Sequence, residues 1–194
     1  MPPGIPLPTS QQRVSHDLGL IALSFALYWG TYELNELLDP YTTYAQGVNL
    51  LFLPAGIKLV TILVAGWRGA LGCGLALLWM AGTRFWAGLP LPMLAGYATL
   101  SVTTSYLTIA LLLRRRHLGP VLEGLTFWDI VSIDAINTVL HGITINLYWW
   151  WFDQRNSEAL LSSSLAMALG DFLGTGVIML LVLLVAQLLL PARR

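Results

Sequence analysis

Val48-Asn-Leu-Leu-Phe-Leu-Pro-Ala-Gly-Ile-Lys-Leu-Val-Thr-Ile-Leu-Val-Ala-Gly66 decides how the rest of the chain is read. It is long and apolar enough to cross a bilayer, yet it holds Pro54-Ala55-Gly56 and one cation, Lys58, near its middle. A lone ammonium in hydrocarbon costs at least ~2.5–3.5 kcal/mol, so other segments have to bring it a partner. The obvious counterpart is Asp171, within Leu169-Gly-Asp-Phe-Leu-Gly-Thr-Gly176 of the last apolar run.

Working outward, the chain of 194 residues is 56% hydrophobic and 10% charged, with a mean hydropathy of +0.70. Soluble domains carry about 25% charged residues, which places this chain in the membrane class. Its net charge of zero argues neither for nor against nucleic acid, but a chain this apolar offers no solvated basic face to bind it. The single cysteine, Cys73, rules out an internal disulfide framework and leaves the redox compartment open.

Residues 1–17, with four prolines, read as a flexible tail, and 18–190 as one transmembrane helical domain. The first apolar run ends in Glu33, Glu36 and Asp39 rather than at a small-residue cleavage site, and reads as a retained helix. Breakers at Asp39-Pro40, Gly66, Gly88 to Pro92, Gly119-Pro120 and Asp153 to Asn156 divide an all-α bundle into six spans. These are expected at 18–38, 47–66, 69–88, 92–113, 125–150 and 160–190. Pro54-Ala-Gly56 would weaken a helix, so a re-entrant second span is an alternative. Seven arginines (13, 68, 114, 115, 116, 193 and 194) fall on one side and two (84 and 155) on the other, which puts both termini in the cytoplasm.

Polar residues inside the spans are the candidate site: Lys58, Arg84, Asp134, Asn137, His141 and Asp171. Asp134, Asn137, Thr138, His141, Thr144 and Tyr148 share one helical face, which lipid cannot satisfy. Asp134 and His141 are expected to pair there, and Lys58 or Arg84 to pair with Asp171. Two readings stand for each of them, a ligand or proton site and a structural polar network. Ala166, Gly170 and Gly174 recur every four residues around Asp171 and suit the close approach of another helix. Asp129 lies where Arg114-Arg-Arg116 can reach it. Thr99, Ser101, Thr103, Thr104, Ser105 and Thr108 are weak evidence for a hydrated path, since such hydroxyls also bond their own helix. Trp67, Trp86, Trp128, Trp149, Trp150 and Trp151 read as an interfacial belt, and Trp29 and Trp79 as lipid-facing or core.

No nucleophile elbow, zinc-protease, P-loop or dinucleotide fingerprint is present, so no catalytic residue, metal or cofactor is expected. Three histidines, one within a span, are too few for bis-histidine haem.

Two stretches resemble a known family. Leu53-Pro-Ala-Gly-Ile57, continuing to Ala65-Gly-Trp-Arg-Gly-Ala70, is similar to the signature of the first type of MASE domain, a bacterial membrane-associated sensor. Gly170-Asp171-Phe-Leu-Gly174 resembles that family's Gly-Asp-x-x-Gly motif. Leu111 to Arg116 and Phe127-Trp-Asp-Ile130 resemble its basic turn and the aspartate-bearing entry to the next helix. The resemblance covers about residues 45–190 and implies an input module of the bacterial inner membrane that feeds a cytoplasmic output protein. It carries over Pro54, Ala55, Gly56, Asp171 and Gly174 as structural or ligand-related positions. The chain departs from the pattern in stopping at Arg194 without an output domain, in having fewer helices, and in placing Lys58 where an apolar residue is usual.

The expected function is therefore a sensory or regulatory membrane module for an unidentified small ligand, acting through a separate protein. The alternatives are a small-solute transport component and a structural subunit of a membrane complex. Besides lipid, partners are a cytoplasmic signalling protein, membrane-complex subunits or further copies of the chain.

Overall fold

The computed structural model describes residues 10–116 and 124–189. It is all-α: α1 (Ser10–Glu36), α2 (Asp39–Thr42), α3 (Leu53–Ala65), α4 (Trp67–Met80), α5 (Leu91–Arg115), α6 (Phe127–Trp151) and α7 (Leu160–Leu189), with a two-stranded hairpin of β1 (Thr43–Ala45) and β2 (Val48–Asn49). A π-helical turn, Ala81–Phe85, prolongs α4. Helix α1 packs on α4, α4 on α5, α5 on α6 and α6 on α7, while α3 touches α1, α4, α5 and α7. The shortest of the packed helices thus sits inside an arc of longer ones.

Three helices are long and apolar enough to cross a membrane: Leu91–Arg115, Phe127–Trp151 and the turn and helix spanning Ser157–Leu189. Burial is inverted relative to a soluble protein. Lys58, Asp134, His141 and Asp171 are buried, while Leu75, Trp79, Leu107, Leu165 and Leu180 are exposed. A bundle that hides its charges and shows its leucines matches a hydrocarbon surround.

The N-terminal boundary is corrected. Ser10 to Asp17 form the first two turns of α1 rather than part of a tail, and Arg68 of α4 donates to the Asp17 carboxylate at 2.5 Å. Residues 1–9, His117, Gly119-Pro120 and the two terminal arginines lie outside the described residues.

The stretch from Val48 to Gly66 is the second correction. It is a strand, an irregular turn and then the 13-residue α3, which at 1.5 Å per residue reaches only ~20 Å. Pro54 does not interrupt a span. It stands in the first turn of α3, where its missing N–H costs nothing and its fixed φ favours the start of a helix. Asn35, fully buried in α1, accepts from the Leu53 amide at 2.8 Å and so caps α3. Gly66, at φ 59° and ψ −130°, turns the chain from α3 straight into α4, a backbone state that glycine tolerates at least cost.

The small residues of α7 explain how an irregular segment survives inside the bundle. The Gly170 carbonyl accepts from the Phe52 amide at 3.0 Å. A Cβ on Gly170 would strike the Asn49 carbonyl, and one on Gly174 the Phe52 carbonyl. A Cβ on Gly56 would lie 2.7 Å from the Ile178 Cβ and 2.9 Å from the Thr175 Cα. The face read as a helix-packing surface therefore receives the loop and the start of α3.

At the opposite end of the bundle Arg116 pairs with Asp129, as the sequence suggests. Asp129 also closes a capping box with Thr126 that starts α6. The tryptophan belt is corrected in part. Trp67, Trp128 and Trp151 are exposed, but Trp86 and Trp149 are buried and stack on each other with centroids 4.0 Å apart.

Candidate functional site

Four helices each send one polar side chain to the same level of the bundle: Lys58 from α3, Ser101 from α5, His141 from α6 and Asp171 from α7. His141 joins them. Its Nδ1 lies 2.8 Å from Asp171 Oδ2, and its Nε2 lies 2.8 Å from Ser101 Oγ and 3.2 Å from Lys58 Nζ. An ammonium can only donate, so facing Lys58 the Nε2 atom acts as acceptor and the ring proton resides on Nδ1, donated to Asp171. The layer is then neutral overall, one cation and one anion held apart by an imidazole that contacts both.

Several expectations change at this point. Lys58 and Asp171 do answer each other, but through His141 rather than in direct contact. His141 pairs with Asp171 and not with Asp134, whose Oδ1 instead accepts from Thr175 at 3.2 Å. Thr175 lies one turn beyond Asp171 on α7, so Asp134 belongs to the adjoining layer. Asn137, between His141 and Asp134 on α6, is buried with its Oδ1 unpartnered. Arg84 is not part of the site. It sits at the exposed end of the π-helical turn, donating to Glu33 at 3.1 Å and Glu36 at 3.2 Å. Cys73 is buried against the Thr61 hydroxyl at 3.2 Å, next to the site without lining it.

A cavity of about 240 Å³ descends onto this layer from the end that carries the hairpin. Tyr28, Tyr32, Phe52 and Tyr97 form its aromatic wall, and Ser101, His141 and Asp171 its polar floor. Asp39 lies at its rim, fixed by the amides of Asn35 at 3.0 Å and Asn49 at 2.8 Å. Sequence reasoning did not find Asn35, Asn49 or the tyrosines. Asn35 and Asp39, four apart at the end of a polar-tipped helix, were the available signal. A recess with apolar walls and a few convergent polar groups is the usual form of a small-molecule site.

Ser101, His141 and Asp171 stand in the order of a nucleophile, a base and its orienting carboxylate. Two features keep them from working that way. Lys58 aims its ammonium at the Nε2 lone pair that a base would need. Ser101 also lies inside α5, whose own hydrogen bonding occupies the amides that could form an oxyanion hole. Binding and proton exchange suit the arrangement better than acyl transfer. Among the described residues no group of three or more His, Cys, Asp or Glu is placed to hold a metal ion.

Compared with family models, with curated proteins and with solved structures, the chain matches none.

Proposed function

We propose that the chain is a sensory module of the bacterial inner membrane, which takes a small polar ligand into the cavity and signals to a cytoplasmic protein. The single observation behind this reading is the cavity that ends on Ser101, His141 and Asp171. A ligand able to bond Asp171 or Ser101 competes with His141 for the same atoms. His141 in turn holds Lys58, and with it α3, so binding shifts α3 against α7. Such a ligand needs different affinities for the two packings, and the shared histidine supplies that difference. The likeness of Leu53 to Ile57 and of Gly170 to Gly174 to MASE-type sensor domains supports the same reading.

In this proposal the chain crosses the bilayer six times, with both termini in the cytoplasm. Residues 43–52 descend into the bundle and α3 completes that crossing. Arg13, Arg68, Arg114, Arg115 and Arg116 then lie on the cytoplasmic side, and the cavity opens to the other. Irregular backbone at membrane depth is acceptable there because α7 covers it.

A thermal-shift screen of small polar compounds on detergent-purified protein tests the proposal. At least one compound is expected to raise the melting temperature of the wild type and not of Asp171→Asn. Stabilisation of both proteins to the same extent by every active compound removes the site from consideration. Transport of a small solute is the second reading, favoured by polar side chains that continue past the cavity floor to Asp134. Uptake into proteoliposomes above the level of empty vesicles would select it.

A further inference from the structure

Among the described residues, two buried polar atoms below the His141 layer have no partner. Ser105 Oγ on α5 and Asn137 Oδ1 on α6 make no hydrogen bond, although Ser105 is 0% and Asn137 4% exposed. Their relation follows from the register of two antiparallel helices. The Tyr148 hydroxyl donates to the Met93 carbonyl at one end, Ser101 meets His141 midway, and Arg116 meets Asp129 at the other end. Each step down α5 is therefore a step back along α6. One turn below Ser101 and His141, Ser105 stands opposite Asn137, and the next turn brings Thr108 opposite Asp134.

Native proteins rarely leave such atoms unsatisfied, and a buried water with two to four polar partners is the usual remedy. Ser105 offers a hydroxyl that donates and accepts, and Asn137 an acceptor. Thr61 and Thr138 are buried in the same region and already bonded, Thr61 to Ile57 and Thr138 to Ala135.

We infer that ordered water occupies the space between Ser105 and Asn137, and that it completes a proton path from the cavity to Asp134. In one direction Asp134 loses a proton to the water, and the water passes one to the Ser101 hydroxyl. That hydroxyl, which lines the cavity floor, releases its own proton to water in the cavity. Each carrier gains one proton and loses one, no electrons move, and the reverse transfers carry a proton inward. The titratable groups around Asp134 are His141 two turns along its own helix, Asp171 on α7 and Lys58 on α3, and Thr175 donates to it at 3.2 Å. Lys58, donating to Nε2, keeps the ring itself out of the relay. On its other side Asp134 meets a groove between α6 and α7 lined by Phe127, Ile130, Phe172, Met179 and Leu183. That groove is apolar and offers no wet route, so exchange at Asp134 has to run through the column.

Infrared spectroscopy of the full chain in lipid nanodiscs tests this. A protonated-carboxyl band that disappears in Asp134→Asn is expected, and it shifts rapidly on transfer to deuterated water. Ser105→Ala and Asn137→Leu are each expected to slow that shift by about tenfold or more. Ser105→Ala removes one atom and keeps the test usable if Asn137→Leu does not fold. The inference is overturned if both variants exchange as fast as the wild type. It is also overturned if no band assignable to Asp134 appears at any pH at which the protein stays folded.

Discussion

Lys58 and Arg84 show how differently two cations of apolar segments can be settled. Lys58 is buried to 2% exposure and rests on His141, whereas Arg84 reaches the surface and its two glutamates. Lys58→Met strands Asp171 as an uncompensated buried charge, and thermal unfolding in detergent is expected to show a loss of about 3–5 kcal/mol. Arg84→Ala is expected to cost no more than about 1 kcal/mol in the same assay, because its ion pairs are partly solvated. Lys58, His141 and Asp171 were legible in the sequence because an ionisable group in an apolar span has to find a partner. Which partner was not legible, since Asp134 and Asp171 were both within reach of a face carrying His141. Ser101 was hidden for another reason. Ser24, Thr61 and Ser164 all bond a carbonyl of their own helix, and nothing local distinguishes Ser101 from them.

The elements meet most closely where α7 admits the loop and the head of α3. Gly174→Ala is expected to destabilise the fold by about 1–3 kcal/mol, because its methyl would enter the space of the Phe52 carbonyl. Gly176→Ala is the control. Nothing lies within 4 Å of its added Cβ, and alanine's helix propensity makes it neutral or slightly stabilising in the same melt. The small-residue face was visible at positions 166, 170 and 174, but its occupant was not, because residues 43–52 carry no helical periodicity to announce a docking segment. Pro54 was misplaced for a related reason, since a proline marks a helix start only once the preceding strand is known. At the far end Arg68 ties α4 to α1 and holds the Asp17 carboxyl below its ordinary range by hydrogen bonding. A depressed carboxylate stabilises the fold above its unfolded pKa of about 3.9 and loses that contribution as the pH falls through its folded value. Arg68→Leu should therefore weaken the fold at neutral pH and abolish this part of its acid sensitivity, which melting curves recorded against pH would reveal.

At the scale of the whole molecule, polar groups line the interior and leucines the exterior. The sequence located the last three helices within a few residues: 92–113 against Leu91–Arg115, 125–150 against Phe127–Trp151 and 160–190 against Leu160–Leu189. It failed around α3, where a short central helix is carried by its neighbours rather than by its own length. The proposed six-pass arrangement expects a cysteine at Gln46, in a Cys73→Ala background, to react with an impermeant thiol reagent outside intact cells, and one at Arg115 to react only after lysis. Labelling at position 115 from outside intact cells would contradict that arrangement. The bundle itself depends on Lys58 and Asp171 acting as one unit through His141. A double-mutant cycle of Lys58→Met and Asp171→Asn, followed by thermal unfolding in wild-type and His141→Phe backgrounds, measures that dependence directly. The expected result is a coupling of about 1–3 kcal/mol with the histidine present and none without it. Additive losses in the presence of His141 would contradict it.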